Sequence, residues 1–250
     1  MTDWFGVLLA AILVAIGGAA TPAPTSPATP PPAATNDGAR TAATRAWLDG
    51  VRVALPAGTE QVVTVNHTSG SRARVSLWQR GSAGWHKLAR STSGHIGYGG
   101  LVRPRQREQG TGTTPLGTYR LLWSFGTQVA EPSWRLSHRT IGPGDYWVED
   151  NRSAYYNRYR NKADGGFRWR LPKSSFNSSE LLTDYPKQYE YAIVTSFNYA
   201  AQVHRRGAGI FLHVNGRGPT AGCVSAPRWF LRQTMATLDP DLRPVIAIGR

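Results

Sequence analysis

Cys223 is the only cysteine of the chain, and it stands ten residues after a histidine in Ile210-Phe-Leu-His213-Val-Asn-Gly-Arg217-Gly-Pro-Thr220-Ala-Gly-Cys223-Val-Ser225. A thiol without a partner in its own chain forms no intramolecular disulfide, and in an exported protein a leftover thiol marks reactivity. His213 supplies the general base that a thiol nucleophile needs if the loop brings the two together. Ala221 and Gly222 are small enough for backbone to approach a substrate. After the thiol, Ser225 reads as an N-cap and Pro227 as a first-turn residue, opening a helix from Pro227 to Leu238 that Asp239-Pro240 stops. A helix N-terminus beside Cys223 favours thiolate, which places the thiol pKa below its free value of about 8.5. The plain alternative is a small buried hydrophobe beside a strand-end histidine. The Gly-Cys helix start and the signs of export favour the nucleophile.

Short β runs must position this pair. Val51–Leu55, Gln61–Val65 and Ala73–Trp78 alternate or are rich in β-branched residues. Trp85–Leu88, His95–Gly97, Tyr191–Ser196, Ile210–Val214 and Pro244–Ile248 read as further strands, and Gly110–Leu122 as a Gly-rich loop entering one. Long loops occupy about residues 130–190. The aromatics Trp147, Tyr155, Tyr156, Tyr159 and Trp169 lie in that stretch, as a sugar-packing lid or as a small satellite core. The fold class is mainly β with one helix following the cysteine.

Residues 4–16 are almost entirely apolar and Gly17-Gly-Ala-Ala20 follows, so residues 1–20 read as a signal peptide or an N-terminal membrane anchor. Residues 21–45 are rich in Pro, Ala and Thr and read as an extended linker, which leaves 46–250 as the folded domain. The chain is therefore expected to be extracytoplasmic, secreted or envelope-associated. Its net charge of +14 favours anionic surroundings. The arginines are scattered and no nucleic-acid-binding motif occurs, so an anionic wall polymer is expected rather than nucleic acid. His67, His86, His95, His138, His204 and His213 show no metal spacing and no His-Glu-x-x-His occurs, so no metal or other cofactor is expected. A monomer is expected.

The strand ending in His213, followed by a loop and Thr220-Ala-Gly-Cys-Val-Ser225, resembles the catalytic motif of L,D-transpeptidases, exported cysteine enzymes that remodel bacterial peptidoglycan. Gly110-x-Gly-x-Thr-Pro-x-Gly-Thr-Tyr119 resembles an upstream loop of that family. Trp147-Val-x-Asp150 with Tyr156-Asn157 is similar to the secreted actinobacterial variety. The resemblance spans roughly Gln61 to Arg250 and implies a transpeptidase-like β-sandwich or barrel. It implies Cys223 as nucleophile and His213 as base, acting on peptidoglycan stem tetrapeptides through a thioester. Gly222, with Ala221 and Thr220, would form the oxyanion and pocket backbone. Asn198, Tyr199 and Arg217 would line the pocket. Many family members carry Ser-His-Gly-Cys, and Ala221 stands in place of their second histidine.

Sortase-like enzymes need an arginine beside the thiol and a Thr-x-x-Thr-Cys-like strand end. Papain-like amidases place Cys before His. The readings left open are transfer, hydrolysis of the same bond by an L,D-carboxypeptidase, and a catalytically weak basic wall-binding module.

Overall fold

Val51, Val53 and Leu55 are buried while Arg52 and Ala54 are exposed, the period-two pattern of a strand with one face on a core. The same logic recurs along the chain. A computed structural model describes residues 44–250. The expected signal or anchor segment and nearly all of the expected linker lie outside these residues. The strands are β1 (Thr44–Leu48), β2 (Val51–Leu55), β3 (Gln61–Ser69), β4 (Arg72–Gly81), β5 (Gly84–His95), β6 (Leu101–Val102), β7 (Thr114–Pro115), β8 (Gly117–Gly126), β9 (His138–Thr140), β10 (Asp145–Trp147), β11 (Tyr159–Asn161), β12 (Glu180–Leu181), β13 (Ala192–Thr195), β14 (Phe211–Val214), β15 (Val224–Ala226) and β16 (Val245–Gly249). One α-helix, α1 (Arg228–Thr237), occurs among the described residues.

Nine strands form one sheet in the order β13-β14-β15-β5-β4-β3-β16-β8-β9, and β13 also pairs with β8, which closes the sheet into a barrel. Closure removes open strand edges. Inside, Val63, Val75, Leu77, Ile193, Leu212, Val224 and Ile246 form the main core, and α1 adds Phe230, Leu231 and Met235 from one face. The β1–β2 hairpin covers a second cluster, in which Leu48, Val51, Val53 and Leu55 meet Val62 and Val245.

Between the paired strands β8 and β13 the chain makes a long excursion, which contains the small sheet β11-β10-β12. Its aromatics are mostly core, not a loose lid. Trp147 and Tyr156 are buried with Phe125, Tyr189 and Phe211, and Tyr159 packs against them. Trp169 packs on a smaller cluster of Tyr146, Val148 and Phe167, while Tyr155 remains exposed.

Two expectations are corrected. Thr44 and Arg45, assigned to the linker by composition, open β1. No helix begins at the cysteine. Val224–Ala226 is a buried strand, parallel to β14 on one side and bridged to β5 through Ser225 and His95 on the other. A segment between two strands must satisfy its backbone in the ladder. Pro227 rather than Ser225 is therefore the N-cap of α1.

Candidate active site

Leu212 and Val214 enter the barrel core, so alternation along β14 puts Phe211 and His213 on the opposite face. Leu212 pairs with Val224, which sets Cys223 beside Phe211 on that same outer face. The Cys223 thiol donates to the Gly209 carbonyl at 3.0 Å, and the Phe211 N–H donates to its sulfur at 3.4 Å. His213 is buried, and its ring packs edge-on against Tyr189 at 5.6 Å. Its Nδ1 donates to the Val214 carbonyl at 2.8 Å, which fixes the tautomer and leaves the Nε2 lone pair free. No hydrogen bond joins the imidazole to the thiol in this resting geometry. Both nonetheless line one cavity of about 540 Å³.

The electrostatics correct the expected thiolate. Burial pushes the Cys223 thiol up to about 12, and burial pushes the His213 imidazole down to about 4. The Phe211 N–H and the Arg107 charge favour the thiolate and the Val214 carbonyl favours the imidazolium, but desolvation outweighs them in both groups. The resting pair is a neutral thiol and a neutral imidazole.

The upstream Gly-rich loop clamps the turn before the thiol. Thr114 Oγ1 donates to the Gly222 carbonyl at 2.7 Å and accepts from the Gly97 N–H at 2.8 Å. Thr220 Oγ1 donates to the Cys223 carbonyl at 2.7 Å and accepts from the Gly222 N–H at 3.2 Å. That last bond occupies the Gly222 N–H, which the family resemblance offered as an oxyanion donor. Gly222 has φ +136°, and a Cβ there would lie 2.7 Å from Arg107 Nη2, so only glycine fits.

The Trp147 and Tyr156-Asn157 motif holds the thiol's acceptor. Asn157 Oδ1 accepts from Trp147 Nε1 at 2.8 Å and from the Gly209 N–H at 2.9 Å. Tyr156 Oη accepts from the Gly207 N–H at 3.0 Å and donates to Gln109 at 2.8 Å. Asp150 binds Arg168 in a bidentate pair, which holds its carboxyl down at about 2.

Thr220, Ala221 and Arg217 line the cavity, with Arg217 exposed at its mouth. Asn198 and Tyr199 do not. Asn198, at φ +51°, uses its side chain to hold Val203 and Gly207, and Tyr199 packs on Trp123 and Trp147. They follow β13 in sequence, but the chain turns away from the cavity there. Among the lining residues that the motif reading did not include are Arg107, Glu149, Glu180 and Tyr189. Only Glu149 had a local signal, lying between Trp147 and Asp150 of a quoted motif.

A model of the YkuD family, the L,D-transpeptidase catalytic domain, matches residues 60–246. The chain belongs to that family. Its closed, mainly β fold is that of the L,D-transpeptidase catalytic domain. No curated protein matches the chain. The solved structure of Bdellovibrio bacteriovorus Bd1075 is similar at 15% identity and a TM-score of 0.36, over 76% of this chain and 47% of that one. The chain thus spans about half the length of that relative.

Proposed function

We propose that this L,D-transpeptidase domain acts as a cysteine acyltransferase on peptidoglycan stem tetrapeptides. The observation that carries the reading is the shared cavity. It holds a thiol on a backbone acceptor and an imidazole whose Nδ1–H is tied to Val214, leaving Nε2 as the base.

In this reading His213 Nε2 removes the Cys223 proton as the sulfur attacks the carbonyl that joins the L-centre of the third stem residue to D-alanine. The Cys223 N–H donates to the developing oxyanion; such a donor is worth about 10²–10³ in rate. The imidazolium then protonates the leaving D-alanine nitrogen, and a thioester remains. A neighbouring stem's amine resolves it, or water does, which is the L,D-carboxypeptidase reading. His213 serves alone, since Ala221 lines the cavity where a second histidine would stand.

The protein works outside the cytoplasm, with the apolar N-terminal segment as signal or anchor and the Pro/Ala/Thr stretch as tether. Its positive charge holds it on anionic wall polymer, and it acts as a monomer without cofactor or nucleic acid.

Incubation with a carbapenem or a tetrapeptide donor, followed by intact mass spectrometry, tests the reading. A covalent adduct is expected that Cys223→Ala abolishes. A folded wild type that forms no adduct would leave the weak wall-binding module in its place.

A further inference from the structure

The excursion that forms one wall of the cavity brings two carboxyl groups to the nucleophile. Glu180 opens β12, where it pairs with Trp147 of β10, and Glu149 follows β10 and is tied back by its N–H to Ser179 Oγ at 3.1 Å. Tyr189 donates to Glu180 Oε1 at 2.6 Å, and the same ring packs on His213. Glu149 Oε1 lies 3.4 Å from the position a Cβ would take on Gly209, the residue whose carbonyl holds the thiol. Glu180 thus reaches the base through one tyrosine, and Glu149 reaches the nucleophile through one glycine.

This wall is short of one cation. No described residue donates a hydrogen bond to the Glu149 carboxyl, and neither carboxyl is in a salt bridge among the described residues. Enclosure by protein raises both carboxyls above the ordinary range, with a further rise at Glu149 from Glu180 and at Glu180 from Asp184. Two cations line the cavity: Arg217 is exposed at its mouth, and the buried one is Arg107, 5% exposed, whose Nε and Nη1 are given to the carbonyls of Thr113 and Arg206 at 2.9 Å each. Its Nη2 makes no hydrogen bond to a described residue and points at Gly222 beside the thiol. One buried guanidinium against two carboxyls, neither of them in a salt bridge, leaves room for a positive group beside them.

Resting on the acyltransferase reading above, we infer that Glu149 and Glu180 hold the primary ammonium group of the acyl acceptor and that Glu149 takes the first of its protons. The chemistry requires such a group. An ammonium that becomes an amide nitrogen on a thioester loses two protons, and the thiolate takes back only one. The first N–H proton passes to Glu149, freeing the nitrogen lone pair. That pair attacks the thioester carbonyl and forms the C–N bond. The second proton goes to His213 Nε2, and the C–S bond breaks as the thiolate takes that proton. The proton on Glu149 leaves to solvent. Water as acceptor has a lone pair already and needs only His213. The carboxyl pair therefore decides between transfer and hydrolysis.

The test compares two acceptors on the full chain near neutral pH, a charged primary amine and hydroxylamine, which is uncharged there. Acylation of wild type by a tetrapeptide donor is first read by mass; its absence would overturn the acyltransferase reading and this inference with it. Where acylation occurs, Glu149→Gln/Glu180→Gln is expected to lower the ratio of charged-amine product to hydroxylamine product by at least about tenfold, within the usual reach of a positioned base. A ratio within about twofold of wild type would overturn the inference, since a general packing defect or a bystander role moves both products together. The single variants read the same ratio if the double variant does not fold.

Discussion

Cys223 and Gly209 are joined by a hydrogen bond of 3.0 Å from the thiol to the backbone carbonyl, so the nucleophile rests on the chain and not on the imidazole of His213. The thiol must leave that acceptor to meet its base. A donor that displaces the bond by presenting its own carbonyl couples binding to activation, and until then the thiol stays protonated and protected.

Alkylation reports this resting state. With the thiol pushed up to about 12, iodoacetamide should modify folded wild type slowly at neutral pH and faster as the pH climbs. The rate after denaturation should match that of a free thiol. Fast alkylation of the folded protein at neutral pH would contradict the neutral pair.

His213 sets an unusually acid limb. Its pKa of about 4 keeps Nε2 a base well below the ordinary histidine range, so acylation should persist through mildly acid pH and fall only as pH nears that value. The fold disfavours the imidazolium, so this group's contribution to stability is present above about 6.5, its unfolded value, and lost as pH falls towards about 4. The difference amounts to roughly 3 kcal/mol at most. Urea denaturation of wild type against His213→Gln across that window measures it; equal slopes would refute the assignment.

Thr114→Val keeps shape and removes the hydroxyl that joins Gly97 to Gly222. Two buried backbone groups lose their partner, a cost of about 2–4 kcal/mol. The turn before Cys223 loosens with them, so acylation should slow beyond what the lost stability explains at a temperature where both proteins are folded. Unchanged melting and unchanged acylation would show that the clamp is idle.

Deletion of residues 1–40 should leave the thermal transition in place, because the cut stops short of β1 at Thr44. Deletion of residues 1–50 removes β1 and uncovers Val51, Val53 and Leu55. Loss of Leu48 alone costs about 2 kcal/mol of burial, enough to lower Tm by roughly 4–8 °C. Calorimetry on the two truncations shows whether β1 belongs to the cooperative unit.

Much of the barrel was legible because β2, β3, β4, β14 and β16 carry alternating or β-branched runs long enough to show their period. That Cys223 and His213 share a cavity was legible because they lie on one continuous stretch with a telling spacing. Elsewhere the pattern was too short or too plain. Val224–Ala226 has three residues, and its strand character comes from β14 and β5, whose partner residue His95 is far away in sequence. Thr44–Leu48 continues the Thr and Ala composition of the linker and buries only Leu48. Asn198 and Tyr199 show that nearness in sequence to a site strand is not nearness to the cavity. Arg107, Glu149 and Glu180 meet only because the excursion folds back over β14, and no spacing rule joins them.

The excursion leaves the barrel at β8 and rejoins it at β13, two strands already bonded to each other. Beyond β9, which still pairs with β8, such an appendage is a graft on a finished vessel: its rim can lengthen, shorten or change composition without any barrel strand changing register. Selection can thus retune partner choice around Glu149 and Glu180 while bond-breaking machinery stays constant. The freedom ends at Asn157, the rivet through which the graft grips Gly209. Descendants of this architecture should diversify outward from that asparagine.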